Sequence, residues 1–235
     1  MNAVDLQNIL NQHASDTDAI FLQRFFKTGP GEYGEGDQFI GLRVPQTRQI
    51  CRDFFDLSID QIEVMLESPI HEHRLAGLII MSNQAKSKKF PTNYKELLYE
   101  LYLRRTDRIN NWDLVDTSCR DVVGGYLMDK PRDILYQLAE SSDLWERRIA
   151  IVSTWEFIRH GDLDDTFRLS KALKNDKQDL IHKASGWMLR EAGKKDVNRL
   201  VEFLDENATT MPRTMLRYSI EKLPEAQGRY YLGLS

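Results

Sequence analysis

The sequence predicts an all-α protein built from repeated helix pairs, and three observations predict it. First, apolar residues recur at three- and four-residue spacing along most of the chain: Ile62, Met65 and Leu66; Leu75, Leu78 and Ile79; Leu97, Leu98, Leu101 and Leu103; Val197, Leu200, Val201 and Leu204. This is the period of an amphipathic helix. Second, the alternating β-branched runs that mark strands are nearly absent. Third, one pattern returns several times: polar or basic residues leading into a helix rich in small and apolar side chains.

Taken in order, the first distinctive element is a glycine-rich stretch. Gly29, Gly31, Gly34, Gly36 and Gly41 all lie within residues 28–42. Glycine permits tight turns and close backbone approach, so a structured loop or short hairpin is expected here, joining the first helices. The repeated pattern then appears as HEHRLAGLII (71–80), NWDLVDTSCR (111–120), ERRIAIVSTW (146–155) and IHKASGWMLR (181–190), with a weaker copy, PRTMLRYSIEKL (212–223). Setting Arg74 against Asn111, Arg148 and Lys183 gives steps of 37, 37 and 35 residues. Further amphipathic helices fall between the copies, at Asn93–Leu103, Pro131–Glu140 and Leu163–Lys174. Two helices per ~35–40 residues is the period of a HEAT-like solenoid. Such units stack into a curved superhelix with a concave surface. Ala76, Gly77, Ala150, Ala184, Ser185 and Gly186 suit close helix–helix approach. An irregular helical bundle is the alternative. A single HEAT-like repeat domain over residues 1–235 is expected.

Composition narrows the function classes. The chain has 235 residues, 41% hydrophobic and 29% charged, the balance of an ordinary globular protein. Its 32 Lys and Arg against 36 Asp and Glu give a net charge of −4. That excludes a bulk polycation but leaves room for a local basic face. Cys51 and Cys119 form no CxxC or zinc spacing. The N-terminus lacks the pattern of a signal peptide, and the longest apolar runs, such as Leu75–Met81, fall far short of the roughly 20 residues a membrane span needs. A cytoplasmic monomer without membrane contact is expected. The five histidines make no HExxH and no evident triad; His71 and His73, two apart, point in different directions on a helix. The glycine-rich loop carries no nucleotide-binding fingerprint, and no Gly-x-Ser-x-Gly elbow is present. No metal or organic cofactor is indicated.

Three segments carry candidate chemistry. In the segment 110–116, Asn111 is placed to cap a helix, and Asp113 in its first turn complements the helix dipole. Asp116 lies a turn further in, on the face of Trp112, four residues before it. A surface pairing with an arginine is the alternative reading of Asp116. In segment 144–148, Trp145 reads as core, while Arg148 occupies the repeat position that Asn111 holds one unit earlier. Trp112, Asp116 and Arg148 are therefore expected to converge on one face. In segment 183–195, Lys183, Trp187, Arg190 and Lys194 recur at helical spacing. Residues 180–200 hold five basic and two acidic residues. A cationic stripe bearing an aromatic suits a phosphate backbone and an unstacked nucleotide. A solvated charged face and a core Trp187 are the alternatives.

Together GPGEYGEGDQFIGLRVP, SPIHEHRLAGL, WDLVD, LWERRIAIV and KASGWMLREAGKKD resemble the bacterial DNA alkylation repair proteins of the AlkD-like family, from about Phe21 to Tyr218. The resemblance implies a HEAT-like solenoid that grips duplex DNA on its concave face. It implies a monofunctional DNA glycosylase acting on positively charged N3- or N7-alkylated purines in base excision repair. It places the family's catalytic aspartate at Asp116, its flanking tryptophan at Trp112, its site arginine at Arg148 and a second DNA-facing tryptophan at Trp187. An N-terminal aromatic position that is Tyr in some members is Phe25 here. Arg43, Arg74, Lys183, Arg190 and Lys194 are expected at the DNA, with many of the acids on outer helices. Two other readings stay open: a non-catalytic binder of branched or distorted DNA in the same superfamily, and a HEAT-type protein scaffold.

Overall fold

A computed structural model describes residues 1–234. Their regular elements are helices, with no strand among the described residues, and they fall into two compact units that meet in sequence at Tyr126 and Leu127. No described helix is long and apolar enough to cross a membrane.

The first unit contains α1 (Ala3–Gln12), α2 (Asp16–Phe25), α3 (Val44–Cys51), α4 (Ile59–Glu67), α5 (His71–Lys86), α6 (Thr92–Arg104) and α7 (Trp112–Cys119). A π-helical turn, Arg120–Gly124, continues α7. Helix starts follow the local chemistry. Asn2 caps α1 in a capping box with Asp5, and Ser15 caps α2. Helix α5 is the centre of this unit. It packs against α3, α4, α6 and α7, and nearly every residue from His71 to Ser82 is buried. A helix enclosed on all sides needs no single apolar stripe, which is why its charged first turn coexists with a buried position.

The second unit contains α8 (Asp133–Ala139), α9 (Leu144–Arg159), α10 (Asp164–Ala172), α11 (Asp179–Gly193), α12 (Val197–Asn207), α13 (Arg213–Ile220) and α14 (Glu225–Leu234). Asp143 and Asp196 cap α9 and α12. The copies of the repeated pattern are α5, α7, α9, α11 and α13, and the helices expected between them are α6, α8 and α10. Within the units α5 packs on α7, α9 on α11, and α11 on α13. Gly186 explains the last contact. A Cβ there would lie 2.6 Å from the Cβ of Tyr218.

The glycine-rich stretch is a loop of turns rather than a hairpin. Its β-type contact is an isolated parallel bridge between Gln38 and Ile70. A buried carboxylate holds it: Glu72 accepts from the backbone amides of Gly41 (2.8 Å), Leu42 (3.1 Å) and Ile40 (3.1 Å). At Gly41 the backbone has φ +89°, and a Cβ would collide with the Ser15 carbonyl, so only glycine serves there.

Candidate nucleic-acid interface

The first-unit site is built on the start of α7. Asn111 caps the helix, its side-chain oxygen accepting from the Trp112 amide at 2.9 Å. Trp112, half-buried, stacks on Phe26 at 5.2 Å between ring centroids. Phe25 meets it edge-on at 6.0 Å, and Phe21 stacks on Phe25 at 6.2 Å. Phe21 and Phe25 remain 56% and 53% exposed, and α2 contributes no buried residue. Phe21 and Phe25 thus form an exposed aromatic edge against Trp112. Asp116 follows Trp112 by one turn and is half-buried. Behind it, Tyr102 of α6 is fully enclosed and bonds to Ser118 at 3.0 Å. Burial foremost, with the charges of Cys119 and Asp116 behind it, holds the Tyr102 phenol well above its ordinary pKa.

Beneath this edge lies a buried ionic network that the sequence reading missed. His71 Nδ1 donates to Asp37 at 3.0 Å and Nε2 donates to Asp113 at 2.8 Å. Burial alone would lower the His71 pKa, but the two carboxylates raise it to about 9, so the ring is an imidazolium at neutral pH. Arg74 donates to Asp37 at 2.6 Å and to Asn110 at 3.1 Å. Phe39 stacks on the imidazolium at 4.4 Å and Phe26 lies tilted against it at 5.1 Å. A continuous pile of rings thus runs from His71 through Phe39 and Phe26 to Trp112 and out to Phe25 and Phe21. Nothing in local spacing signals this network, because Asp37, His71 and Asp113 lie 34 and 42 residues apart.

The structure corrects the expectation for Arg74. It is 2% exposed and serves Asp37 and the Ser68 carbonyl, so it is part of the interior and not of a DNA-facing surface. Arg43 is exposed, as expected of a surface cation, but is paired with Asp18 at 2.8 Å.

In the second unit, Arg148 is 5% exposed and donates through Nη1 to the Leu180 carbonyl at 2.7 Å. It sits in the α9–α11 packing rather than on an open face. The register also differs from the expected one. Counted from each helix start, Asp116, Arg148 and Lys183 are all fifth residues, whereas Asn111 lies outside its helix. Trp187 is half-buried and meets Trp155 of α9 edge-on at 5.0 Å. Trp155, the last residue of the ERRIAIVSTW copy, has no role assigned from sequence, although its spacing of seven from Arg148 places it on the same side of α9. Trp145 is buried, as read. The cationic stripe is largely internally paired: Lys183 with Asp179, Arg190 with Glu191 and Glu221, and Lys194 with Glu191. Cys51 and Cys119 are buried and form no disulfide, and burial pushes the Cys51 thiol to about 12, which removes it as a nucleophile. No group of His, Cys, Asp and Glu among the described residues is arranged to hold a metal.

Fold and site define a helical-repeat protein with an aromatic edge beside a carboxylate. The family follows from sequence. The chain belongs to the DNA alkylation repair enzyme family, whose model matches residues 6–223. Its role is therefore in DNA alkylation repair. A solved structure described as a predicted DNA alkylation repair enzyme from Enterococcus faecalis shares the fold, with a TM-score of 0.71 over 90% of this chain and 97% of that one, at 15% identity. No curated protein matches the chain.

Proposed function

We propose that this protein is a DNA glycosylase that hydrolyses the N-glycosidic bond of cationic N3- or N7-alkylated purines in duplex DNA. The observation that carries the reading is the placement of Asp116 one helical turn from Trp112, whose ring meets the exposed ring of Phe25. Alkylation at N3 or N7 leaves the base positively charged, so it departs as a neutral purine without prior protonation. What the enzyme must stabilise is the oxocarbenium-like sugar left behind. A fixed carboxylate does this electrostatically, and Asp116 is assigned that task. Water then adds at C1′, and its proton passes to the carboxylate or to solvent. Trp112, Phe25 and Trp187 are assigned to aromatic contact with the distorted nucleotides, which tolerates and favours cationic character. Arg148, 5% exposed and bonded to the Leu180 carbonyl, is assigned to holding α9 against α11 rather than to a phosphate. Lys183, Arg190, Lys194 and Arg43 are assigned to the backbone. In this reading duplex DNA carrying the lesion is the partner and no cofactor takes part.

The test is release of 3-methyladenine or 7-methylguanine from methylated duplex DNA. Wild type releases base, and Asp116→Asn binds the same DNA without releasing it. Binding without release by wild type would replace this reading with that of a non-catalytic binder of distorted DNA. No binding would leave a protein scaffold.

A further inference from the structure

We propose that His71 is a positioning residue for the α7 site: its ring, clamped between Asp37 and Asp113 and packed against Phe39 and Phe26, fixes the orientation of Trp112 and Asp116. The inference rests on the reading that Asp116 carries the chemistry.

Four observations support it. Both ring nitrogens of His71 are committed to carboxylates from different elements, Asp37 from the glycine-rich loop and Asp113 from α7. Asp113 is committed on both oxygens: Oδ2 accepts from His71, and Oδ1 accepts from the Leu114 amide at 2.9 Å. The first turn of α7 therefore cannot roll without breaking an ionic bond, and the roll of that turn places Asp116 one turn on. The ring pile supplies the second link, from His71 through Phe39 and Phe26 to Trp112. Finally, His71, Asp37, Asp113 and Arg74 are all under 10% exposed. A buried ionic cluster adds little net stability over a well-packed apolar one, and its attested use is to specify one geometry. The charged groups facing His71 are Asp37 from the loop and Asp113 from α7. Arg74, on His71's own helix, acts through Asp37.

The experiment compares His71→Gln, Asp113→Asn and the double variant, and reads two signals. One is single-turnover base release. The other is the indole N–H resonance of Trp112, assigned with Trp112→Phe. In His71→Gln the buried Asp113 loses its cation and faces Asp37, which keeps Arg74. Release should fall about 100-fold, with duplex affinity unchanged, and the Trp112 resonance should move while those of Trp155 and Trp187 stay. Asp113→Asn relieves the repulsion, so the double variant should regain both release and the Trp112 position relative to His71→Gln. A purely structural role predicts additive losses instead. Should His71→Gln fail to fold, wild type decides: the Trp112 resonance should shift reversibly as pH passes through about 9. An unmoved Trp112 resonance, or a defect that Asp113→Asn deepens, overturns the proposal. If wild type releases no base, the glycosylase reading falls and the Trp112 resonance alone judges the clamp.

Discussion

The surroundings of Trp112 and Trp187 present the same sequence signature, a tryptophan at helical spacing from a charged side chain, and rest on different physics. Trp112 stands at the start of α7 on a pile of rings whose base is a buried imidazolium between two carboxylates. Its outer neighbours, Phe25 and Phe21, are left exposed. Trp187 lies in the middle of α11 and is held by apolar contact: Trp155 on one side, and on the other a helix interface so close that Gly186 leaves no room for a Cβ. Its charged companions are satisfied by acids on the surface. One region is held by buried charge and leaves apolar surface open. The other is held by close packing and keeps the charges of Lys183 and Lys194 at the surface. Direction of side chains, and not residue type, separates a site under electrostatic control from one under steric control.

The comparison is broken most severely at Asp116. Asp116→Asn should lower base release by a factor on the order of 10²–10³ with unchanged duplex affinity, the cost of removing one group that stabilises developing charge. Trp187→Phe should not reproduce that loss in release. Single-turnover excision on methylated duplex measures both.

Steric control of the second region predicts that Gly186→Val is costly. The added atoms meet the Met215 carbonyl and the Tyr218 Cβ, and overpacking of this kind costs about 3 kcal/mol. Urea unfolding should show a lower midpoint. The equivalent test of the first region is electrostatic and needs no substitution. The folded state raises His71 from 6.5 to about 9. Its contribution to stability is therefore complete below pH 6.5 and is lost as pH rises through about 9. The size is on the order of 3 kcal/mol for a shift of this extent. His73 acts in the opposite sense. Burial, with Arg74 behind it, lowers it to about 4. Its contribution is present above pH 6.5 and fades as pH falls toward 4. Denaturant midpoints measured across pH should fall on the alkaline side in wild type and lose that limb in His71→Gln.

The smallest effect lies in the cationic stripe. Glu191 holds Lys194 through both oxygens at 2.7 Å and Arg190 at 3.3 Å. Glu191→Gln should release Lys194 for phosphate contact, Arg190 keeping Glu221, and tighten DNA binding by about twofold to fivefold at low salt, the range of exposed ion pairs. Titrations at rising salt should show a steeper slope than wild type. An unchanged slope would mean that the stripe does not meet the backbone.

The sequence by itself determined the helices. Apolar spacing along α4, α5, α6 and α12, and small residues such as Gly186, are local signals, because a helix's period and its closest contacts are written within a few residues. The same local logic found the Asn111 cap and the shared face of Trp112 and Asp116. Tertiary structure alone decided which charges face water. Arg74 and Arg148 look like surface cations in the sequence, yet they are buried where Asp37 and the Leu180 carbonyl await them. His71 looks unremarkable beside His73, yet it is the cation at the base of the site. A charge enters the interior only where partners from distant segments offset its desolvation, and no window of sequence contains those partners.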